Sequence, residues 1–255
     1  MRFGQTGDVL FSLQGRKLIL IDGGWSQNAD QVKSVICQHG GYVDAWILTH
    51  FHEDHCGAFN VLWPEYRKKI KVVYINPLDW ESFQSTAKDW DDPDTFSLFL
   101  EQTRDAGDRV RILHRDDELS LLGLHMKVYN AFDNEVASQT EDYANNSSLV
   151  FKLTGEENSM LFLADLSAPA LGEYLLERYG AGELHAGFVQ AAHHGNWGQP
   201  SSFYEALQPE VMYFDAPDWL LIEDDYTAKE LAAWCDENGI KEYDFRTAPN
   251  TVTFH

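Results

Sequence analysis

"VDAWILTHFHEDHCG", Val43 to Gly57, decides how this chain is read. Its first half is largely apolar, the pattern of a strand covered on both faces. Its second half packs three histidines and two acids into the six residues from His50 to His55. The C-terminal end of a strand is where ligands bind in open α/β sheets. If the strand runs on through the first histidines, residues two apart point the same way, so His50 and His52 can grip one ion. A turn after Glu53 then lets the adjacent Asp54 and His55 reach a second point nearby. Imidazole and carboxylate suit zinc, manganese or iron, and two ions about 3.5–4 Å apart can clamp one substrate oxygen. A solvated turn explains one histidine; HxHxDH directly after a buried strand favours metal. Glu53 takes the variable slot and is read as solvent-facing. Cys56 is read as a small buried side chain, because structural zinc sites gather thiolates in groups.

Two such ions need further ligands. Asp165 closes the apolar run "SMLFLAD" and is placed to bridge them, since Ser167 is better positioned to cap the helix that follows. "QAAHHGN" brings His193 and His194 to another strand end. Successive strand side chains diverge, so one completes the shell and the other lies beside the ions, facing substrate. Either can be the ligand; His193 is assigned to the metal and His194 to the substrate side. His39, His114, His125, His185 and His255 stand alone and are read as surface or satisfied residues.

Composition narrows the partners. The 255 residues carry a formal charge of −22. A field of that sign repels polyanions, and the densest basic run is only "YRKK", Tyr66 to Lys69. Nucleic acid is therefore disfavoured. Three widely spaced cysteines give no disulfide framework. No apolar run is long enough for a membrane helix, and the first residues lack a signal-peptide pattern. The expectation is a cytoplasmic chain, with residues 1–255 forming a single domain.

Along the chain, "DVLFSL" and "KLILIDGG" read as a hairpin. "NADQVKSVICQHGG" reads as a helix with Asn28 as cap, and "PDTFSLFLEQTRDAG" as a helix capped by Asp94. "SSLVFKLTG" and "SMLFLAD" form a second hairpin, and "KEYDF" and "TVTFH" close the chain as strands. Each half starts with antiparallel strands and continues with strands alternating with helices. That rhythm suggests two mixed α/β sheets packed face to face with helices outside, a four-layer αββα sandwich, although periodicity alone does not separate it from other α/β arrangements.

HxHxDH after a strand, a later strand-end Asp and a His in the terminal half together resemble the metallo-β-lactamase superfamily over nearly the whole chain. The chain looks most like the branch with the hydrolase domain of the bacterial DNA-uptake (competence) channel protein and the pneumococcal phosphorylcholine esterase. "GQTGDVLFSL…LILIDGG", "NNSSLVFKL", "LFLADL" and "AAHHGN" resemble that branch's GQGD-plus-DGG, NNxSLVL, LLTGDL and GHHGS segments. The resemblance implies a metal-dependent hydrolase of the αββα fold with two divalent ions, zinc or manganese before iron. It implies His50 and His52 at one ion, Asp54 and His55 at the other, Asp165 between them and His193 completing the shell. Where many members supply another His, it implies that Asn145 or Asn146 lines the site, which would leave one ion weakly held.

The branch implies phosphodiester hydrolysis by a metal-activated hydroxide on a small or medium substrate. Asp54 and Asp165 would orient the attacking group, and His194 would protonate the leaving group or hold an oxyanion. Asn196 and Trp197 replace the Ser of HHGS, and "DAPDWLLIEDDY" lacks a His; both departures and the charge speak against nuclease activity. Trp197 and Trp219 could wall the pocket. The alternatives are a carboxylic ester, thioester or lactone hydrolase, which the missing intermediate His disfavours, and a non-catalytic metal-binding module. Sequence does not give an oligomeric state.

Overall fold

Alternation sorts the strand residues between two apolar layers. In β2 (Lys17–Ile21), Leu18 and Leu20 join one buried cluster while Ile19 and Ile21 join another. In β3 (Ala45–Leu48), Trp46 and Leu48 take the first cluster and Ala45 and Ile47 the second. This computed structural model describes residues 9–13 and 17–244. With β1 (Val9–Leu13), β4 (Val73–Ile75) and β5 (Val110–Ile112), these strands make a sheet in the order β1-β2-β3-β4-β5. β1 pairs antiparallel with β2, and the rest of that sheet is parallel.

The second sheet runs in the order β12-β11-β10-β9-β8-β7-β6. Its strands are β6 (Glu118–Leu121), β7 (Leu124–Asn130), β8 (Val150–Thr154), β9 (Ser159–Phe162), β10 (Phe188–Gln190), β11 (Val211–Phe214) and β12 (Lys241–Asp244). β6 to β9 are antiparallel neighbours, and β9 to β12 are parallel. Ile19, Ile47, Met126, Phe151 and Phe162 share the cluster between the sheets. The helices Ala29–Gln38, Glu53–Tyr66 and Pro93–Thr103 cover the outer face of the first sheet, where Ile36, Phe59 and Phe99 meet Trp46. Pro169–Tyr179, Ser201–Leu207 and Thr227–Glu237 cover the second, where Leu175, Phe203 and Leu231 meet Leu161 and Met212. This is the expected αββα sandwich. Among the described residues, no helix is long and apolar enough to cross a membrane.

Several local expectations need correction. β3 ends at Leu48, and the helix starts at Glu53, so the chain turns before Glu53 rather than after it. His52 takes an extended conformation at the cap position, and Glu53 and Asp54 fall in the helix's first turn, where acids complement the helix dipole. Asp92, not Asp94, caps the Pro93–Thr103 helix: its carboxylate accepts from Asp94 N and Thr95 Oγ1, and Pro93 holds the first helical position. Asn28 sits at the helix start but caps nothing, because its amide donates to Gln31 Oε1 after a short 3-10 turn. The helices Trp80–Thr86 and Asn134–Gln139 and strand β6 were not foreseen. The "GQTG" opening, the turn "QGR", the closing "TVTFH" and His255 lie outside the described residues.

Candidate metal centre

The cluster segment is held from both sides. Leu149 N donates to Thr49 O across the sheets, and Asn76 Nδ2 donates to the same carbonyl. The first turn of the Glu53–Tyr66 helix lies against the loop after β2, where Ala58 N donates to Gly24 O. Gly57 makes that approach possible, since a Cβ there would lie 2.5 Å from Ser26 N and 2.9 Å from Trp25 C. Asp54 and His55 are thus fixed on the opening turn, just beyond His50 and His52.

Asp165 follows β9 through Ala164, which takes a φ of 44°. Leu163 N and Ala164 N both donate to Gln190 Oε1, and Asp165 N donates to Ser148 Oγ. His193 and His194 follow β10, both left-handed, at φ 52° and 59°. Such dihedrals cost roughly 1–2 kcal/mol each for ordinary residues. They are held by His193 N donating to Ala164 O and by His194 Nδ1, 3.0 Å from Asp215 O.

Two groups of donor atoms result: His50, His52 and Asp165, and Asp54, His55 and His194. Asp165 adjoins both, with its carboxylate oxygens 3.7 Å from His50 Nε2, 3.3 Å from His55 Nε2 and 3.5 Å from His194 Nε2. The two strand-end histidines exchange the places expected for them. His194 Nε2 lies 3.4 Å from Asp54 Oδ2 and 3.4 Å from His55 Nε2. His193 belongs to neither group; its Nε2 is 3.8 Å from Asp165 Oδ2, and its side chain is partly open to the cavity beside the groups. The alternation rule fails here because neither residue keeps strand dihedrals.

Outer hydrogen bonds set the tautomers. Thr49 gives its hydroxyl proton to Asp22 Oδ2, so its oxygen accepts from His50 Nδ1. His52 Nε2 donates to Asp91 Oδ1 at 2.7 Å, and His55 Nδ1 donates to Asp22 Oδ2 at 2.8 Å. His194 Nδ1 donates to the Asp215 carbonyl. Each neutral imidazole therefore turns a lone pair inward: His50 Nε2 faces His52 Nδ1 at 3.2 Å, and His55 Nε2 faces His194 Nε2. Paired lone pairs at such distances need a cation between or beside them, and this donor set fits divalent metal. Asp165 Oδ1, buried and without a hydrogen-bond donor, fits the same requirement.

The electrostatics agree. Burial opposes charge on every member. Even so, Asp165, helped by Asp54, holds protonated His55 well above the ordinary histidine range, and Asp165 with Asp215 does the same for His194. Burial raises the Asp165 carboxyl, but His194, His55 and His50 overcome it and hold it well below the usual range. Burial and neighbouring His55 push His50 well down. The carboxylates thus demand positive charge at the centre.

The groups open on a cavity of about 730 Å³. Asn145, Asn146 and Trp197 line it, as do Glu53 and Trp25; Trp219 does not. Glu53 is partly buried and accepts from Ser26 Oγ rather than standing free in solvent. Asn146 is a clamp, its Oδ1 accepting from Ser167 N and Ala168 N. Asn145 donates to Asp142 Oδ2 and keeps a buried, unpartnered Oδ1. His125 lies elsewhere, paired with Glu118, and Cys56 is fully buried.

Four outer residues escaped the sequence reading: Asp22, Thr49, Asp91 and Asp215. Asp22 and Asp215 each close an apolar strand, the same signal that singled out Asp165. Asp91 sits in the acid-rich "DWDDPD", where nothing local distinguishes it from its neighbours.

Residues 5–120 match the family model for the metallo-beta-lactamase superfamily. That stretch of the chain is thus similar to the metallo-beta-lactamase superfamily. ComE operon protein 3 of Bacillus subtilis (strain 168) is 26% identical over 175 residues, covering 68% of this chain and 20% of that protein. The chain thus spans about a fifth of that relative's length. Among solved structures, a CmlA beta-hydroxylase mutant matches with TM-score 0.60 and 15% identity over 95% of this chain and 51% of its own. The metallo-beta-lactamase fold protein YhfI from Bacillus subtilis matches with TM-score 0.56 and 14% identity over 94% of this chain and 88% of its own. These structures share the fold; since one is named a hydroxylase, the reaction must be argued from the site.

Proposed function

We propose that this chain is a metal-dependent hydrolase that cleaves phosphodiesters of small or medium size. Members of the superfamily are metal-dependent hydrolases. The observation that carries the proposal is the inward convergence of four imidazole lone pairs on the shared Asp165 carboxylate. His50, His52 and Asp165 would hold one divalent ion, and Asp54, His55 and His194 would hold a second. Bound zinc or manganese would lower the pKa of water and polarise the scissile oxygen.

The remaining work falls to the chain. Asp54 and Asp165 orient the attacking oxygen. His194 is committed at both ring nitrogens, so the proton for the leaving oxygen comes from His193, whose partly exposed side chain borders the cavity. Water is thereby split across the P–O bond, its hydroxyl ending on phosphorus and a proton on the leaving group. Among the described residues, no lysine or arginine lines the cavity, which favours a small substrate over nucleic acid.

The test is a panel of phosphodiester, carboxylic ester, thioester and lactone substrates assayed with added Zn²⁺ or Mn²⁺. Phosphodiester turnover that a chelator stops supports the proposal. Ester turnover without phosphodiester turnover overturns it, as does failure to bind metal at equilibrium.

A further inference from the structure

Gln190 is a polar side chain where the strand pattern asks for an apolar one. It ends β10, the strand between β9 and β11. Phe188, two residues earlier, and Tyr213, its register partner on β11, both pack against the cluster between the sheets. Gln190 is 4% exposed, and burying an amide costs free energy unless hydrogen bonds offset it.

Those bonds run to both sides. Oε1 accepts from Leu163 N at 3.2 Å and from Ala164 N at 2.9 Å, the two residues before Asp165. Nε2 donates at 2.6 Å to Oδ2 of Asp215, which follows β11. Asp215 in turn holds His194: its carbonyl oxygen lies 3.0 Å from His194 Nδ1, and its Oδ1 lies 3.5 Å from the same nitrogen. Oδ1 is buried and without a hydrogen-bond donor. With Oδ2 drawn to Gln190, that oxygen is left facing the imidazole N–H. One amide therefore ties the left-handed Ala164 before Asp165 to the outer partner of the left-handed His194. A side chain needed only to satisfy Leu163 N and Ala164 N could be any acceptor. An amide is required where the same side chain must also donate to a carboxylate.

We propose that Gln190 is a positioning residue of the metal centre, setting the Asp165 carboxylate and the His194 ring relative to each other. The inference rests on the metal-dependent reading above and not on its phosphodiester substrate. His50 and His52 take their orientation from Thr49 and Asp91 instead. Loss of the Gln190 bonds should therefore weaken the ion at Asp54, His55 and His194 more than the ion at His50 and His52.

The test removes the amide and then inverts it. Gln190→Met keeps the length of the side chain and none of its hydrogen bonds. Gln190→Glu combined with Asp215→Asn restores an acceptor for Leu163 N and Ala164 N and returns an N–H donor from the opposite side, with the pair's net charge unchanged. Zn²⁺ binding to the metal-free full chain of the parent and both variants is titrated by calorimetry, alongside each melting temperature without metal. Gln190→Met should weaken the second equivalent about 10–100-fold and leave the first little changed, and the inverted pair should recover the second. A folded Gln190→Met protein that binds both equivalents as the parent does shows a merely structural role and overturns the proposal. So does an inverted pair that does not fold or stays weak at the second equivalent. If Gln190→Met does not fold, the inverted pair decides by the same criterion.

If the parent chain binds no Zn²⁺, the metal-dependent hydrolase fails, and ¹⁵N NMR of the His194 Nδ1–H in the metal-free proteins decides the role of Gln190. A resonance lost in Gln190→Met and regained in the inverted pair upholds the positioning; any other pattern overturns it.

Discussion

Asp22 Oδ2 lies 2.8 Å from His55 Nδ1, across 33 residues of sequence. The same carboxylate accepts from Thr49 N and Thr49 Oγ1, and Thr49 in turn orients His50. One buried residue thus sets the ring orientation of a histidine in each donor group. Asp22 itself sits at φ 54°, a conformation asparagine also tolerates. Asp22→Asn should therefore fold, while metal affinity falls about 10–100-fold, as losses of such outer partners typically do. Competition titration against a chromophoric chelator reads this directly, and an unchanged affinity would remove the orienting role from Asp22.

His193 and His194 should separate by function. His194→Ala removes an inward lone pair and should reduce the bound metal from two equivalents toward one. His193→Ala should leave the metal content intact and lower kcat by roughly 10²–10⁴, the usual worth of a positioned acid. Elemental analysis of both proteins, alongside kinetics, distinguishes the roles; metal loss in the His193 variant would reverse them.

Metal removal should loosen the protein as well as silence it. Ions that bind only the folded state stabilise by about 2.7 kcal/mol at a hundred times their Kd. Zn²⁺ or Mn²⁺ should raise the melting temperature of chelator-treated protein in a concentration-dependent way. Asp165→Asn, which takes charge from the carboxylate common to both groups, should flatten that response in scanning calorimetry.

Gly57→Ala should be costly although it lies within a helix, where alanine is ordinarily preferred. The added Cβ would press on the Trp25–Ser26 backbone. Overpacking of this kind costs typically about 1–3 kcal/mol. Urea unfolding is the measurement, and a variant as stable as the parent would show that the helix start can shift freely.

Asp133 carries the clearest pH dependence away from the site. Burial raises its carboxyl, but hydrogen bonds and charge from Arg115, with the Val136 N–H, outweigh burial and hold it below the usual value. Because the folded form is the stronger acid, the contribution is full above the unfolded pKa of about 3.9. It fades as pH falls through the lower folded value. Asp133→Asn keeps the helix cap and removes the charge. Its stability deficit should hold steady from pH 7 to about pH 5 and close in more acid solution. The deficit should be modest, because Asp133 is 35% exposed and solvent screens the pair. A deficit that grows in acid would contradict this assignment.

The chain's own order of residues determined much of this protein. The continuous apolar run in "AWIL" was enough to anticipate a strand buried on both faces, because successive side chains point to opposite sides and both sides here are apolar. HxHxDH gave four inner donors, and a carboxylate at the end of "SMLFLAD" gave a fifth, because strand ends project side chains toward one edge. Tertiary structure decided the rest. Whether His193 or His194 turns inward depends on two consecutive left-handed residues held by Ala164 O and Asp215 O, contacts that no local pattern encodes. Asp22 and Asp91 join the site only because folding brings the loop after β2 and the "DWDDPD" segment against the histidines. Hydrogen bonds over such separations depend on where whole elements pack, and periodicity carries information only about neighbours along the chain.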